Sequence, residues 1–326
     1  MRAIGQDRYG APDVLELWEI DRPVPGASDV LVRVRAASVN ARDWHLMRGD
    51  PYVARLMDRS TFDRRGPRQP VRGTDFAGVV ESVGAGVSAF KPGDEVFGEA
   101  EAAFAEYVCA PQTALVTKPP NLTFEQAAAL PLAANTALMG LRDLKAGQRL
   151  LVNGASGGVG TFAVQIATAY GAEVTGVCST RNVDLVRSLG AEHVVDYTTT
   201  DFTRESARYD VLLDLVGNRS LRELRRTLKP GGTLILSGGG VSRGGSLIGP
   251  IALIVRGALL RKFARSHRVV VLEAVPSAAN LRVLAELAET GKIVPVIDRE
   301  YPLEQAPAAI GHLEVEHARA KVVLTV

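Results

Sequence analysis

The sequence is short of cysteine, of aromatic residues and of surplus charge, and each shortage removes a class of function. Cys109 and Cys178 are the only cysteines in 326 residues. A disulfide framework needs more, and two thiols so far apart in sequence cannot form a tight zinc-binding cluster, so both read as buried thiols. Lys and Arg number 38 against 36 acidic residues, a formal charge of +2. That balance gives no electrostatic footprint for nucleic acid or for an anionic membrane surface. Arg59, Arg64, Arg65, Arg68 and Arg72 do gather in one segment, but a charge run of this kind is usually a solvated face. The longest apolar stretch, Leu247 to Leu260, is interrupted by Arg256 and falls short of the about 20 residues a membrane helix needs. It reads as a buried or cleft-lining helix. Met1-Arg2-Ala3-Ile4-Gly5 runs straight into a strand-like segment with no apolar signal core, so the expectation is a cytoplasmic protein.

What is present suits a soluble chain of two domains, since hydrophobic residues make up 46% and charged residues 23% of a length greater than one core usually serves. Residues 1–121 alternate short apolar runs with turn signals. Val30–Arg35, Gly78–Gly84 and Glu95–Gly98 read as strands, and Lys91-Pro92-Gly93-Asp94 as a turn in which proline presets φ and glycine supplies φ > 0. The pattern is that of a β-rich, barrel-like domain, with 55–72 as an exposed loop. From 122 strands alternate with helices: Arg149–Asn153, Glu173–Cys178, His193–Asp196, Asp210–Val216, Thr233–Ser237 and Val269–Leu272 are separated by helical spacings. That alternation predicts a doubly wound parallel sheet over 122–272. After 273, Leu281, Leu284, Ala285 and Ala288 mark a helix stopped at Gly291, and Lys321–Val326 forms a last strand. Assigned to the first domain, that strand makes the α/β domain an insertion in the β-rich one. There are no internal repeats.

One motif carries chemistry. Gly154-Ala155-Ser156-Gly157-Gly158-Val159-Gly160 lies between a strand and a helix. Small residues there let the backbone approach a pyrophosphate, and the helix start offers unbonded N–H groups. Ala155 replaces the first glycine of the usual fingerprint. NAD enzymes place Asp or Glu at the end of the second strand for the ribose hydroxyls; here that strand ends Cys178-Ser179-Thr180-Arg181. Hydroxyls and a guanidinium suit the extra phosphate of NADPH, although Arg181 is equally placed for an ordinary solvated helix start.

Ser38-Val39-Asn40-Ala41-Arg42-Asp43, Gly73-Thr74-Asp75-Phe76-Ala77-Gly78-Val79-Val80, Lys91–Val96, the 154–160 loop and the tail Gly291-Lys292-Ile293 through Lys321-Val322-Val323-Leu324 together resemble the zinc-independent quinone oxidoreductase branch of the medium-chain dehydrogenase/reductase superfamily. The resemblance spans nearly the whole chain. It implies a Rossmann doubly wound parallel sheet inserted in a GroES-like β-rich barrel domain, and a homodimer. Zinc-dependent relatives have a Cys ligand where this chain has Asn40, and a His-Glu pair where it has Thr74-Asp75. Asn and Thr are poor zinc ligands, and His312 and His317, five apart, would point to different sides of a helix. The family pattern also puts Tyr197 against the adenine ribose phosphate, and Val216, Gly217, Ser237, Gly238 and Gly239 at the cofactor-facing strand ends. Asn40 and Asp43 match its cleft motif, though Asp43 is equally suited to cap a helix starting at Trp44.

Without zinc no Lewis acid polarises a simple ketone, so hydride reduction favours an acceptor that spreads negative charge itself, a quinone or an α,β-unsaturated carbonyl. Asn40, His45 and Tyr52 are the candidates for contacting the developing oxyanion or giving the proton, with solvent as the alternative donor. Trp44, Tyr52 and 247–263 could line the acceptor's cleft. Two other readings stay open: an alcohol dehydrogenase with unconventional metal use, and a non-catalytic NADPH-binding protein, including one that binds RNA.

Overall fold

The computed structural model describes residues 1–326 apart from 60, 64–65, 238–244, 248, 250–254, 256, 258–266 and 316–317. The chain divides into two units, Met1–Asn135 with Val241–Leu247 and Pro276–Val326, and Thr136–Gly240 with Ile248–Val275. The first boundary thus falls later than the expected 121.

In the first unit β1 (Arg2–Gly5) and β2 (Glu16–Glu19) form a small antiparallel pair. Next come β3 (Asp29–Val39), the helices α1 (Ala41–Arg48) and α2 (Ala54–Met57), β4 (Asp75–Val83), β5 (Glu95–Glu99), β6 (Tyr107–Pro111) and β7 (Leu115–Thr117). The helix α3 (Phe124–Ala128) explains the later boundary. Thr123 and Gln126 close its first turn reciprocally in a capping box, and its buried Ala127 and Ala128 pack on β3 and β4. The helix α4 (Pro131–Leu141) then crosses from one unit to the other.

The second unit is a six-stranded sheet in the order β10-β9-β8-β11-β12-β13. Its strands β8 (Arg149–Asn153), β9 (Glu173–Cys178), β10 (His193–Asp196), β11 (Tyr209–Asp214), β12 (Leu228–Leu236) and β13 (Arg268–Val271) pair in parallel throughout. The helices α5 (Gly158–Ala169), α6 (Val183–Ser188) and α7 (Leu221–Arg226) connect them. Strand order reverses between β8 and β11, the switch point at which ligands enter such sheets. Val177, Phe202, Leu212 and Leu234 are among its core residues.

The chain returns to the first unit through α8 (Ala278–Glu289), β14 (Ile297–Pro302), α9 (Ala306–Val315) and β15 (Lys321–Thr325). The main sheet runs β14-β15-β3-β4-β5-β7, with β6 also on β3. Strand β3 is long enough to serve two neighbours: its start pairs with β6 and its end with β15. Register then sets up the chemistry. Ser38 lies opposite Asp75, Asp75 opposite Glu99, and Val39 opposite Val322. One step further, Lys321 comes opposite Asn40. Beneath this row sits a core that includes Ile4, Trp44, Met47, Phe76 and Phe104.

One sequence expectation changes here. Arg72, read with the solvated arginine run, is only 3% exposed; burial lowers its guanidinium pKa to about 10, with the Asp43 charge opposing. Arg64, Arg65 and His317 lie outside the described residues, as does most of 247–263.

Candidate active site

In the second unit, the loop after β8 turns at Gly154, whose φ is +91°. Gly157 caps α5 in an extended conformation. At Gly160 a Cβ would stand 2.1 Å from the Gly154 carbonyl oxygen and 2.8 Å from the Ala155 carbonyl carbon, so only glycine fits. Ala155 is fully buried. Its methyl lies 3.0 Å from where a Cβ on Gly176 would be, so the glycine in β9 makes room for the alanine that departs from the fingerprint. The first amides of α5 have no carbonyl within the helix to bond. A tight glycine turn, small residues and outward amides fit a dinucleotide pyrophosphate. Sequence inspection missed Asn182, 4% exposed, which donates to Ser156 Oγ at 3.0 Å and to Ser179 Oγ at 3.3 Å and so ties the loop to the end of β9.

Ser179, Thr180 and Arg181 follow β9 and Tyr197 follows β10, brought side by side by the parallel pairing of Cys178 with Asp196. Tyr197 is half exposed, and its N–H donates to the Cys178 carbonyl. The absence of a carboxylate holds for β9 but not for its neighbour. Thr180 donates to Asp196 at 2.6 Å. Hydrogen bonds from Thr180 and Thr198 hold the Asp196 pKa below its usual value. Thr180 is therefore engaged with Asp196, and Ser179 accepts from Asn182; Ser179 and Arg181 flank the end of β9 beside them. Past β11, Val216 and Gly217 donate their N–H groups to Asp214, and Val216 packs on Gly154, a Cβ there standing 2.8 Å from its Cγ2. Asp214 also accepts from Asn153, another contact not foreseen. Ser237 N–H donates to the Asp214 carbonyl. Gly238 and Gly239 lie outside the described residues.

In the first unit, α1 starts and ends in polar clusters. At its start Asn40 is the N-cap and Asp43, at the third helical position, accepts from the Asn40 N–H at 2.8 Å. Asp43 thus closes the helix from inside its first turn, not from the cap position ahead of Trp44. The Asn40 amide donates to Asp75 at 2.9 Å and to the Ser38 carbonyl at 3.3 Å, and its oxygen accepts from Lys321 Nζ. Lys321 Nζ stands 3.8 Å from Asp75, which also accepts the Leu132 N–H near the start of α4. Burial lowers the Lys321 pKa and raises that of Asp75. Burial raises Asp43 to about 6. Glu99, cross-strand from Asp75, is raised to about 8 by burial and by the Asp75 charge. Neither Glu99 oxygen has a hydrogen-bond partner among the described residues; a proton on Glu99 accounts for that. Lys321 and Glu99 were not singled out in the sequence.

At the other end, Gly49 closes α1 with φ +60°, its N–H bonding the His45 and Leu46 carbonyls. A Cβ there would strike Arg55 and Tyr9. The chain then doubles back. His45 Nδ1 meets Asp50 Oδ1 at 2.9 Å, and Asp50 Oδ2 accepts from the Ser246 N–H and hydroxyl. Tyr52 and Val53 N–H groups bond the carbonyls of Ser246 and Leu247, each at 3.1 Å. The structure therefore sets His45 on Asp50 and ties Tyr52, through its backbone, to the same Ser246 that holds Asp50. Burial lowers the His45 pKa, outweighing the opposing Asp50 charge. Trp44, proposed as cleft lining, is fully buried in the core, with its ring against the inner side of the His45 imidazole.

Comparison with known proteins identifies this arrangement. Residues 26–120 match the alcohol dehydrogenase GroES-like domain and residues 189–324 the zinc-binding dehydrogenase domain. The mitochondrial NAD(P)H oxidoreductase RTN4IP1 of Bos taurus is 34% identical over 98% of this chain and 88% of its own. The chloroplastic quinone-oxidoreductase QR1 of Triphysaria versicolor is 33% identical over 99% and 98%. The quinone oxidoreductase structure from Coxiella burnetii superposes with a TM-score of 0.84 at 29% identity, covering 100% of this chain and 99% of that one. The chain belongs to the quinone oxidoreductase-like branch of the medium-chain dehydrogenase/reductase superfamily. It is an oxidoreductase of that branch, with a GroES-like domain and a Rossmann-like sheet. The zinc of the second domain's description does not fit the residues here. Asn40 offers an amide already bonded at both ends, Lys321 places an ammonium beside Asp75, and a second cation there would meet that charge.

Proposed function

We propose that the chain is an NADPH-dependent, metal-free reductase that moves hydride to a quinone or an α,β-unsaturated carbonyl. The observation that carries this reading is the buried ammonium of Lys321, which bonds Asn40 and lies 3.8 Å from Asp75, two residues that the family resemblance puts in place of zinc ligands. A site already neutralised from within supplies no Lewis acid, so the acceptor must delocalise the incoming charge by its own conjugation. The names of the oxidoreductase and quinone-oxidoreductase relatives support that class of reaction and a nicotinamide donor.

Bound NADPH supplies the hydride. The 154–160 loop and the start of α5 would hold the pyrophosphate, Ser179 and Arg181 the extra phosphate, and Val216 and Gly217 would border the nucleotide at the end of β11. His45 and Tyr52 are the first unit's polar groups suited to the acceptor's oxygen. The cytoplasmic setting and the homodimer enter the proposal from the sequence and the family resemblance.

The test is oxidation of NADPH and of NADH with an ortho-quinone, a para-quinone, an enone and a simple ketone, each with and without a chelator. Chelator-resistant, NADPH-preferring turnover of a quinone or an enone is expected. A ketone activity lost on chelation would overturn the metal-free assignment.

A further inference from the structure

We propose that Asp50 is a positioning residue: anchored by Ser246, it fixes His45 in one tautomer, so that His45 Nε2 is the atom that gives the proton to the reduced acceptor. The inference rests on the reductase reading for the identity of the acceptor, and on the geometry of the first unit for everything else.

His45 and Asp50 are five residues apart, and only the left-handed turn at Gly49 brings them face to face. Asp50 is 2% exposed, and both of its oxygens are committed, one to His45 Nδ1 and the other to Ser246. A carboxylate can only accept. Ring Nδ1 must therefore carry a hydrogen, and proton exchange falls to Nε2, which has no hydrogen-bond partner among the described residues. The imidazole keeps 21% of its side chain exposed, enough to be recharged from solvent, while Trp44 braces it edge-on at 4.8 Å.

The strap that supplies Ser246 is fitted to the same carboxylate. Gly245 has φ +82°, and a Cβ on it would lie 2.8 Å from Tyr52 Oη and 3.2 Å from Asp50 Oδ2. The other charges near the ring are engaged elsewhere: Arg48 pairs with Glu314, and Arg55 stacks on Tyr9 and Tyr52. Asp50 is thus the charge that acts on His45.

In the proton step the Nε2–H bond of the imidazolium breaks, its electron pair stays on the ring, and an O–H bond forms on the acceptor that hydride has reduced. Asp50 keeps its negative charge throughout, and the neutral ring takes its next proton from water. Because burial depresses the His45 pKa below its usual 6.5, the donor form grows as pH falls, and kcat should rise towards acid.

The experiment is nitrogen-detected histidine NMR on the resting protein, paired with pH profiles of quinone reduction, for the wild type, Asp50→Asn, Ser246→Ala and His45→Gln. His45→Gln identifies the signal, and it should lower kcat about a hundredfold and remove the acid limb. The wild type should show a single Nδ1–H tautomer. Asp50→Asn should mix the tautomers and lower the midpoint by at least about half a pH unit, the kcat limb moving with it. Ser246→Ala, which leaves the charge in place, should do the same to a smaller degree. An unchanged tautomer and midpoint in Asp50→Asn would overturn the positioning role. A midpoint that moves while the kcat limb stays would overturn His45 as donor. A wild type that reduces no quinone or enone sinks the reductase reading, while the NMR result still decides whether Asp50 holds the ring.

Discussion

The two ends of α1, a helix of eight residues, meet opposite fates. At the start, Asn40 and Asp43 are closed into a buried network with Thr74, Asp75 and Lys321, and no polar atom of the Asn40 side chain is left over for a substrate. At the end, His45 is held by one nitrogen and open at the other. Both ends carry residues that suit oxyanion chemistry on paper. The difference lies in what surrounds them: charges paired inside the fold serve stability, and a partly exposed imidazole on a buried carboxylate can exchange a proton with its surroundings.

Substitutions at the start should act on stability. Lys321→Met leaves the Asp75 charge uncompensated and the Asn40 oxygen without a donor, a loss on the order of 3–5 kcal/mol for one partner of a buried ion pair. The urea midpoint should fall accordingly, and Lys321→Met with Asp75→Asn should regain most of it. Glu99→Gln should act through pH. Glu99 titrates near 8 in the fold against an ordinary 4.5, so its contribution is intact below 4.5 and is lost as pH rises through 8. The variant should hold its stability between pH 4.5 and about 8, the window in which the wild type loses up to a few kcal/mol, as thermal unfolding at a series of pH values would show. If either substitution left stability alone and abolished turnover, the contrast between the two ends would break.

Substitutions at the far end should do the reverse. His45→Gln should cost about a hundredfold in kcat while lowering the unfolding temperature far less than Lys321→Met does, since the Gln amide can still donate to Asp50. The smallest effect belongs to the other unit. Arg181→Ala should raise the KM for NADPH about tenfold, the scale of one charge-assisted hydrogen bond, and leave that for NADH unchanged. It sharpens the comparison by moving the cofactor constant without touching either end of α1.

Much of the fold was legible because its signals are local. Arg149–Asn153 and Glu173–Cys178 are strands with those bounds, and the glycine loop between β8 and α5 is where spacing placed it. The candidate site was legible in part. His45 and Tyr52 could be named, but the partner of His45 could not: Asp50 reads as an ordinary turn residue, and its anchor Ser246 is 196 positions away. Lys321 was visible only as the first residue of a strand, and only its register opposite Asn40 reveals the ion pair with Asp75. Arg72 misled for the same reason. A charged residue in a charged segment reads as solvated until the fold supplies Asp43 nearby. Asp196 was overlooked because it ends the strand beside the one inspected.

The most direct test of the central claim is steady-state reduction of a para-quinone by NADPH, measured on chelator-treated protein from below to above the ordinary histidine pKa. Turnover that survives chelation and rises as pH falls is the expected result. Turnover that disappears with the chelator and returns with added zinc would contradict it.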